Sequence, residues 1–284
     1  MAAPSVLITG CSQGGAGEAL ARRFHKSGFR VFATARNLRK IEHLISEGIE
    51  ILELDILENQ SVAKVASSVS DITGGTLDIL INNAGGGYMT PILDMEHGKA
   101  SKLFDMNVFA PITVAKAFLP LLIAGKGTIV NIGSYVDTLP VPWQGIYNAS
   151  KSALRAITDN LRLELRPFNV NVVYIAAGGI DTNFLENLDT FHLSETSLYY
   201  SGKDILEPII NYESQKSSTQ KRSMPPSEFA DEVYDAAVAG VSNYRAIAGT
   251  QTPLLNMPEP ERDDLLAGGT GIKAFAERIQ QGDA

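Results

Sequence analysis

The stretch Ser5-Val6-Leu7-Ile8-Thr9-Gly10-Cys11-Ser12-Gln13-Gly14-Gly15-Ala16-Gly17 decides how the rest of the chain reads. Its first part, SVLIT over 5–9, is a short apolar run of strand type. A glycine-rich turn follows at once. A helical pattern then covers 18–26, with apolar Ala19, Leu20 and Phe24 and a stop at Gly28. Strand, glycine turn and helix in that order bring free backbone N–H groups and the positive end of a helix dipole to one point, where a phosphate can sit. A tight βα turn is the plainer use of the same glycines. Placement directly after the first strand favours the phosphate.

Outward from this point the pattern repeats. Strands are expected over 30–34, 49–54, 77–81, 128–132 and 170–175. Helices are expected over 39–47, 60–73, 99–122, 147–168 and 226–239, with a strand at 244–248. This alternation implies an α/β fold: a Rossmann-type, doubly wound parallel sheet with helices on both faces. Ligands of such sheets bind beyond the carboxyl ends of the strands. No internal repeat or linker divides residues 1–284, so a single domain is expected. One irregular stretch, 183–225, is long enough for a lid or binding segment. The tail after Thr250, with Pro253, Pro258 and Pro260, reads as loop followed by a short amphipathic piece.

Composition narrows the function classes. The 284 residues carry 24 Lys plus Arg against 32 Asp plus Glu, a net charge of −8. That argues against nucleic acid, which needs a concentrated basic surface. The one cysteine, Cys11, excludes a disulfide framework within the chain. It lies in the glycine turn, where a helix N-terminus can lower a thiol pKa, though a small filler is the simpler role. No run of about 18 to 20 consecutive apolar residues is available for a membrane span. No targeting segment is visible, so the cytoplasm is the expected place. His25, His43, His97 and His192 lack metal-ligand spacing, and no metal is expected.

Tyr147-Asn148-Ala149-Ser150-Lys151 places a phenol and an ammonium at i and i+4, on one helix face. The motif alone is unspecific: Tyr199/Lys203 and Tyr212/Lys216 share the spacing. Only Tyr147 follows a strand, opens a long helix, and has a serine, Ser134, thirteen residues upstream at that strand's end. A phenol of pKa about 10 becomes a better acid or base near neutrality when a cation lies beside it. At the end of the second strand stands Thr34-Ala35-Arg36, with no carboxylate. An acid there would bind a ribose diol and repel a 2′-phosphate; Arg36 can instead pair with that phosphate. A plain surface arginine is the alternative.

Together these segments resemble the short-chain dehydrogenase/reductase family, closely over 5–182 and loosely over 183–250. The family loop T-G-x-x-x-G-x-G fits with one extra residue. Gly15 and Gly17 serve as its second and third glycines in one register, Gly14 and Ala16 in the other. Asn82-Asn83-Ala84-Gly85 matches the family's N-N-A-G, and Asp55-Ile56 its adenine contact. Ala177-Gly178-Gly179-Ile180-Asp181-Thr182 matches P-G-x-x-x-T with the proline lost. The resemblance implies a catalytic group of Asn107, Ser134, Tyr147 and Lys151, in which Asn107 holds a relay water. It implies a cofactor site of Gly10, Ser12, Gly15, Gly17, Arg36, Asp55, Ile56, Asn83, Gly85, Tyr147, Lys151, Ile180 and Thr182. It also implies a homodimer or homotetramer. With Arg36, NADP(H) is the expected cofactor.

Apolar residues crowd 183–210, among them Phe184, Leu188, Phe191, Leu193, Leu198, Tyr199, Leu206 and Ile210. They either pack this segment on the core or cover a bulky substrate. Trp143 is a candidate for the opposite wall. The pattern resembles fungal secondary-metabolism reductases and acyl-dihydroxyacetone-phosphate reductases. A phosphorylated substrate wants clustered cations, and only Lys203, Lys216, Lys221 and Arg222 are near. A neutral hydrophobic ketone or alcohol is therefore the expected substrate, turned over by an NADPH-dependent carbonyl reductase. A silent NADP-binding sensor or scaffold is the reading from another class.

Overall fold

Strands β1 (Ser5–Ile8), β2 (Arg30–Ala35), β3 (Glu50–Glu53), β4 (Ile79–Asn82), β5 (Thr128–Ile132), β6 (Asn171–Ala177) and β7 (Arg245–Ala248) pair in parallel. Their order across the sheet is β3-β2-β1-β4-β5-β6-β7. The computed structural model describes residues 3–211, 223–239, 245–248 and 258–281. Tyr212, Lys216, Lys221, Arg222, Tyr244 and the stretch 249–257 lie outside them.

Strand periodicity feeds two cores. Val6 and Ile8 of β1 face helices α1 (Ala16–Lys26) and α7 (Pro226–Val238), where Phe24, Phe229 and Val233 are buried. Leu7 faces α2 (Asn59–Thr73) and α4 (Ala110–Gly125), beside Val65, Phe118 and Leu122. Burial of each such side chain contributes about 1.5–3 kcal/mol. The chain winds outward through β2 and β3, then returns to β4 on the other side of β1. That reversal opens a crevice at the carboxyl ends of β1 and β4.

Several expected elements take another form. Residues 39–47 form two 3-10 turns, Leu38–Lys40 and Glu42–Glu47, in place of one α-helix. Their buried anchors, Ile41 and Leu44, lie three residues apart, which suits a three-residue turn. The expected helix over 99–122 runs through α3 (His97–Phe104), a π turn at Asp105–Phe109 and then α4. Pro111 has no N–H to give the Asn107 carbonyl, so the α ladder slips there. By length and composition this helix could cross a membrane. Here one side of it packs on the sheet and α2, while Phe109, Ile112 and Ile123 are exposed. Helix α5 (Gly145–Leu165) begins two residues before Tyr147. After α6 (Lys203–Ile210) and α7, the tail forms two helices, α8 (Glu259–Gly269) and α9 (Ile272–Gln280).

Candidate active site

At the crevice, Thr9 joins the first loop to the fourth. Its hydroxyl accepts the N–H groups of Asn83 and Ala84, each at 3.0 Å. The Asn83 carboxamide donates back to the carbonyls of Thr9 (2.9 Å) and Gly10 (3.0 Å). Asn83 therefore shapes the glycine loop, with its amide nitrogen engaged there. Gly10 has φ +75°, and a Cβ on it would lie 2.9 Å from the Ala84 Cα. A Cβ on Gly17 would overlap the Gly10 carbonyl oxygen. Gly17 is thus the glycine of closest helix–strand approach, as in the first of the two registers. Gly14 takes the left-handed φ of +74°, and Gly15 is the extended N-cap of α1.

The loop amides divide sharply. Cys11 N–H goes to the Thr34 carbonyl, Gln13 to Lys40 and Gly15 to Ser12. Gly14 N–H goes to Glu18 Oε2 at 2.6 Å. The expected phosphate role of Gly15 does not extend to its own N–H. Ser12, with Ala16 and Gly17 at the start of α1, are the loop positions that could hold a phosphate. Cys11 is fully buried, its thiol donates to the Ile8 carbonyl, and burial pushes its pKa up to about 12. It is the filler, not a reactive thiol.

Glu18 escaped sequence reasoning. Its carboxylate is buried, pairs with Arg22 at 3.0 Å, and meets His43 Nε2 at 2.6 Å. A carboxylate four residues after Gly14, in the first turn of α1, is the one signal that marked it. Arg36 is exposed just past β2. Asp55 caps its own turn by accepting Leu57 N–H at 3.0 Å, and Ile56 packs on the α2/α4 core. Ile180 pairs with Met224, and the Thr182 hydroxyl accepts Phe184 N–H. Ala177, with an N–H where proline has none, stays within β6.

The catalytic candidates converge. Ser134, at the end of β5, is buried beside Tyr147, and its hydroxyl acts to lower the phenol's pKa. Lys151 is one helical turn below, with Nζ 5.8 Å from the Tyr147 ring centroid, and it donates to the Ile132 carbonyl at 3.0 Å. A Cβ on Gly85 would lie 3.1 Å from Asn107 Oδ1 and 3.7 Å from Lys151 Nζ. Asn107 Nδ2 donates to the Gly86 carbonyl and to Ser150 Oγ, and Oδ1 accepts Gly86 N–H. Its side chain thus braces the π turn against α5 and the β4 loop.

Burial pushes the Tyr147 phenol up to about 12, partly offset by the neighbouring Ser134 hydroxyl. Burial brings Lys151 down to about 8. The expected lowering of the phenol by the lysine cation is not the dominant effect, because both groups are desolvated. Tyr147 therefore stays protonated across the physiological range.

Tyr174, on β6, was also missed. Its hydroxyl accepts Ser134 N–H at 3.3 Å and donates to the Lys151 carbonyl at 3.4 Å. A Cβ on Gly133 would overlap its ring. Behind it, Asn82 donates to Asn131, and Asn131 to Thr158, a buried chain that locks β4, β5 and α5 together.

The 183–210 segment divides in two. Phe184 faces Tyr147, ring centroids 6.1 Å apart, and both Phe184 and Leu188 sit against Gly87. Leu193, Leu206 and Ile210 are buried with Met89, Trp143 and Phe275 of α9. Trp143 is a core residue of this cluster, not a free wall. It stacks edge-on against Tyr199 at 5.3 Å and donates Nε1–H to the Thr270 carbonyl at 2.8 Å. An apolar groove of about 320 Å³ between Pro140–Trp143 and α8 lacks Tyr147, Ser134 and Lys151 among its lining residues.

Comparison with known proteins agrees with this geometry. The family model "short chain dehydrogenase" matches residues 4–192. Short-chain dehydrogenase ptmH of Penicillium ochrochloron is 40% identical over 238 residues, 83% of each chain. NADPH-dependent 1-acyldihydroxyacetone phosphate reductase of Schizosaccharomyces pombe is 39% identical over 237 residues, 82% of this chain and 78% of that one. A short-chain dehydrogenase structure from Streptomyces avermitilis superposes with a TM-score of 0.74 at 24% identity, over 99% of this chain and 96% of that one. The chain belongs to the short-chain dehydrogenase family and is an oxidoreductase.

Proposed function

We propose that the protein is an NADPH-dependent carbonyl reductase, reversible as an alcohol dehydrogenase, acting on a bulky hydrophobic ketone. The observation that carries this reading is the convergence of buried Ser134, at the end of β5, with Tyr147 and with Lys151, whose Nζ lies 5.8 Å from the Tyr147 ring centroid. The reduced nicotinamide supplies the hydride. Ser12, Ala16 and Gly17 would hold the pyrophosphate, Arg36 the 2′-phosphate, and Ile180 and Thr182 the nicotinamide end. Ser134 donates to the substrate carbonyl oxygen and orients it. Tyr147 gives its proton to the oxygen as negative charge develops there. Lys151, charged below pH about 8, stabilises the phenolate that results.

Arg36 is exposed, with no acid at the end of β2 to repel a 2′-phosphate. The S. pombe relative is NADPH-dependent by name, and a metagenomic short-chain oxidoreductase solved with NADP is 32% identical over 63% of this chain, TM-score 0.57. Phe184 over Tyr147, with Leu188 beside it against Gly87, is apolar, and the segment from 183 to 211 would serve as a lid suited to a neutral ketone. Reduction of an acyl-ketone phosphate is the second reading, favoured by the same relative. The exposed Phe109, Ile112 and Ile123 of the α3–α4 helix suit burial against a second copy of the chain. Light scattering that gives a dimer or tetramer supports this, and a monomer contradicts it.

The test is oxidation of NADPH and NADH with a panel of hydrophobic ketones and an acyl-ketone phosphate. NADPH-dependent turnover of the neutral ketones is expected. Preference for NADH overturns the Arg36 assignment, and preference for the phosphorylated ketone overturns the substrate class.

A further inference from the structure

The extra residue of the glycine loop has a partner outside the loop. Gly14 N–H is held by Glu18, and its carbonyl accepts Asn183 N–H at 3.4 Å. The Asn183 carboxamide donates to the neighbouring Gln13 carbonyl, also at 3.4 Å. A Cβ on Gly14 would stand 2.5 Å from Asn183 Nδ2, so the carboxamide lies flat against this glycine. The Asn183 carbonyl in turn accepts the Asn187 side chain at 2.6 Å, which fixes the first turn of the segment leading to Phe184 and Leu188. Gly14 therefore has both backbone groups engaged within the protein and offers nothing to a phosphate. It works as a bracket on which the segment after β6 docks.

We propose that Asn183, seated on Gln13 and Gly14, is a strap that closes over the bound dinucleotide and sets its release rate. This rests on the cofactor placement proposed above, in which Gly10–Gly17 lies at the pyrophosphate and Ile180 with Thr182 at the nicotinamide end. The strap joins those two walls one residue beyond Thr182. A dinucleotide held between them leaves only when the Asn183 contacts open. The doubled glycine then has a reason: Gly14 gives the left-handed φ and the missing Cβ that docking needs, and Gly15 keeps the N-cap.

The test is stopped-flow dissociation of NADPH, followed by its fluorescence, from the full-length protein and from Asn183→Ala and Asn183→Leu. Both variants remove the side-chain bond, and leucine keeps the volume. Release about fivefold faster in both is expected, the worth of one hydrogen bond. The thermal midpoint without cofactor should stay unchanged, while the increment that NADPH adds to it should shrink. Release within twofold of the unaltered protein in both variants overturns the strap. So does acceleration in the alanine variant alone, which would make the contact one of packing. A lowered midpoint without cofactor would assign Asn183 a structural role instead. If the unaltered protein gives no NADPH signal at all, the cofactor placement itself fails, and the strap with it.

Discussion

The two walls of the cleft are built differently. The catalytic wall is held by hydrogen bonds between regular elements: Ser134 to Tyr174, Lys151 to Ile132, Asn107 to Gly86 and Ser150. The opposite wall, 183–210 with α9, is centred on packed aromatic side chains far apart in sequence, Trp143 on Tyr199 on Phe275, with hydrogen bonds such as Trp143 to Thr270 and Asn211 to Phe191 around them. Directional bonds fix a proton donor to within a fraction of an ångström. Packing fixes a volume and tolerates change. The two walls thus rest on supports of different kinds.

Substitutions can break this contrast. Among substitutions that compare the walls, the largest effect is expected at Ser134: alanine there should lower kcat for ketone reduction about 10²-fold, measured by NADPH oxidation, with a small change in KM. On the other wall, Phe275→Ala should destabilise its cluster by about 3 kcal/mol. Hydrogen exchange should localise the loosening to 188–210, and the ketone KM should rise more than kcat falls. Equal effects on kcat at both sites would erase the distinction. Gly133→Ala drives a methyl into the Tyr174 ring and should cost about 1–3 kcal/mol in urea unfolding, with loss of kcat, because Ser134 moves.

The smallest and most specific effect is on pH. Reduction needs a protonated Tyr147 and a charged Lys151. The phenol stays protonated to about 12, so the limb that shows is that of Lys151. The value of kcat/KM should be level below pH 8 and fall above it. Stability moves the other way: the lysine pKa is lowered on folding, so the unfolded chain binds more protons between about 8 and 10.5, and stability rises with pH across that window. Lys151→Met should abolish both slopes.

The two walls also differed in how well they could be read. The strands were legible because a parallel sheet buries both faces and writes continuous apolar runs. Tyr147, Lys151 and Ser134 were legible because one helical turn and one strand end fix their relation. The π turn was hidden, although Pro111, four residues after Asn107, carried its cause. The turns at 38–47 were misread because Ile41 and Leu44 suit both α and 3-10 spacing. Glu18 and Tyr174 act through partners 25 and 40 residues away, beyond any local pattern. The tail helices α8 and α9 were hidden by Pro258 and Pro260. The role of Trp143 depended on Thr270, 127 residues downstream.

The central claim is that Tyr147 gives the proton to the carbonyl oxygen. Single-turnover oxidation of NADPH with a hydrophobic ketone, in the unaltered protein and in Tyr147→Phe at matched cofactor saturation, tests it directly. A fall of about 10³-fold with NADPH still bound is the expected result. A phenylalanine variant that reduces the ketone at the original rate would contradict it.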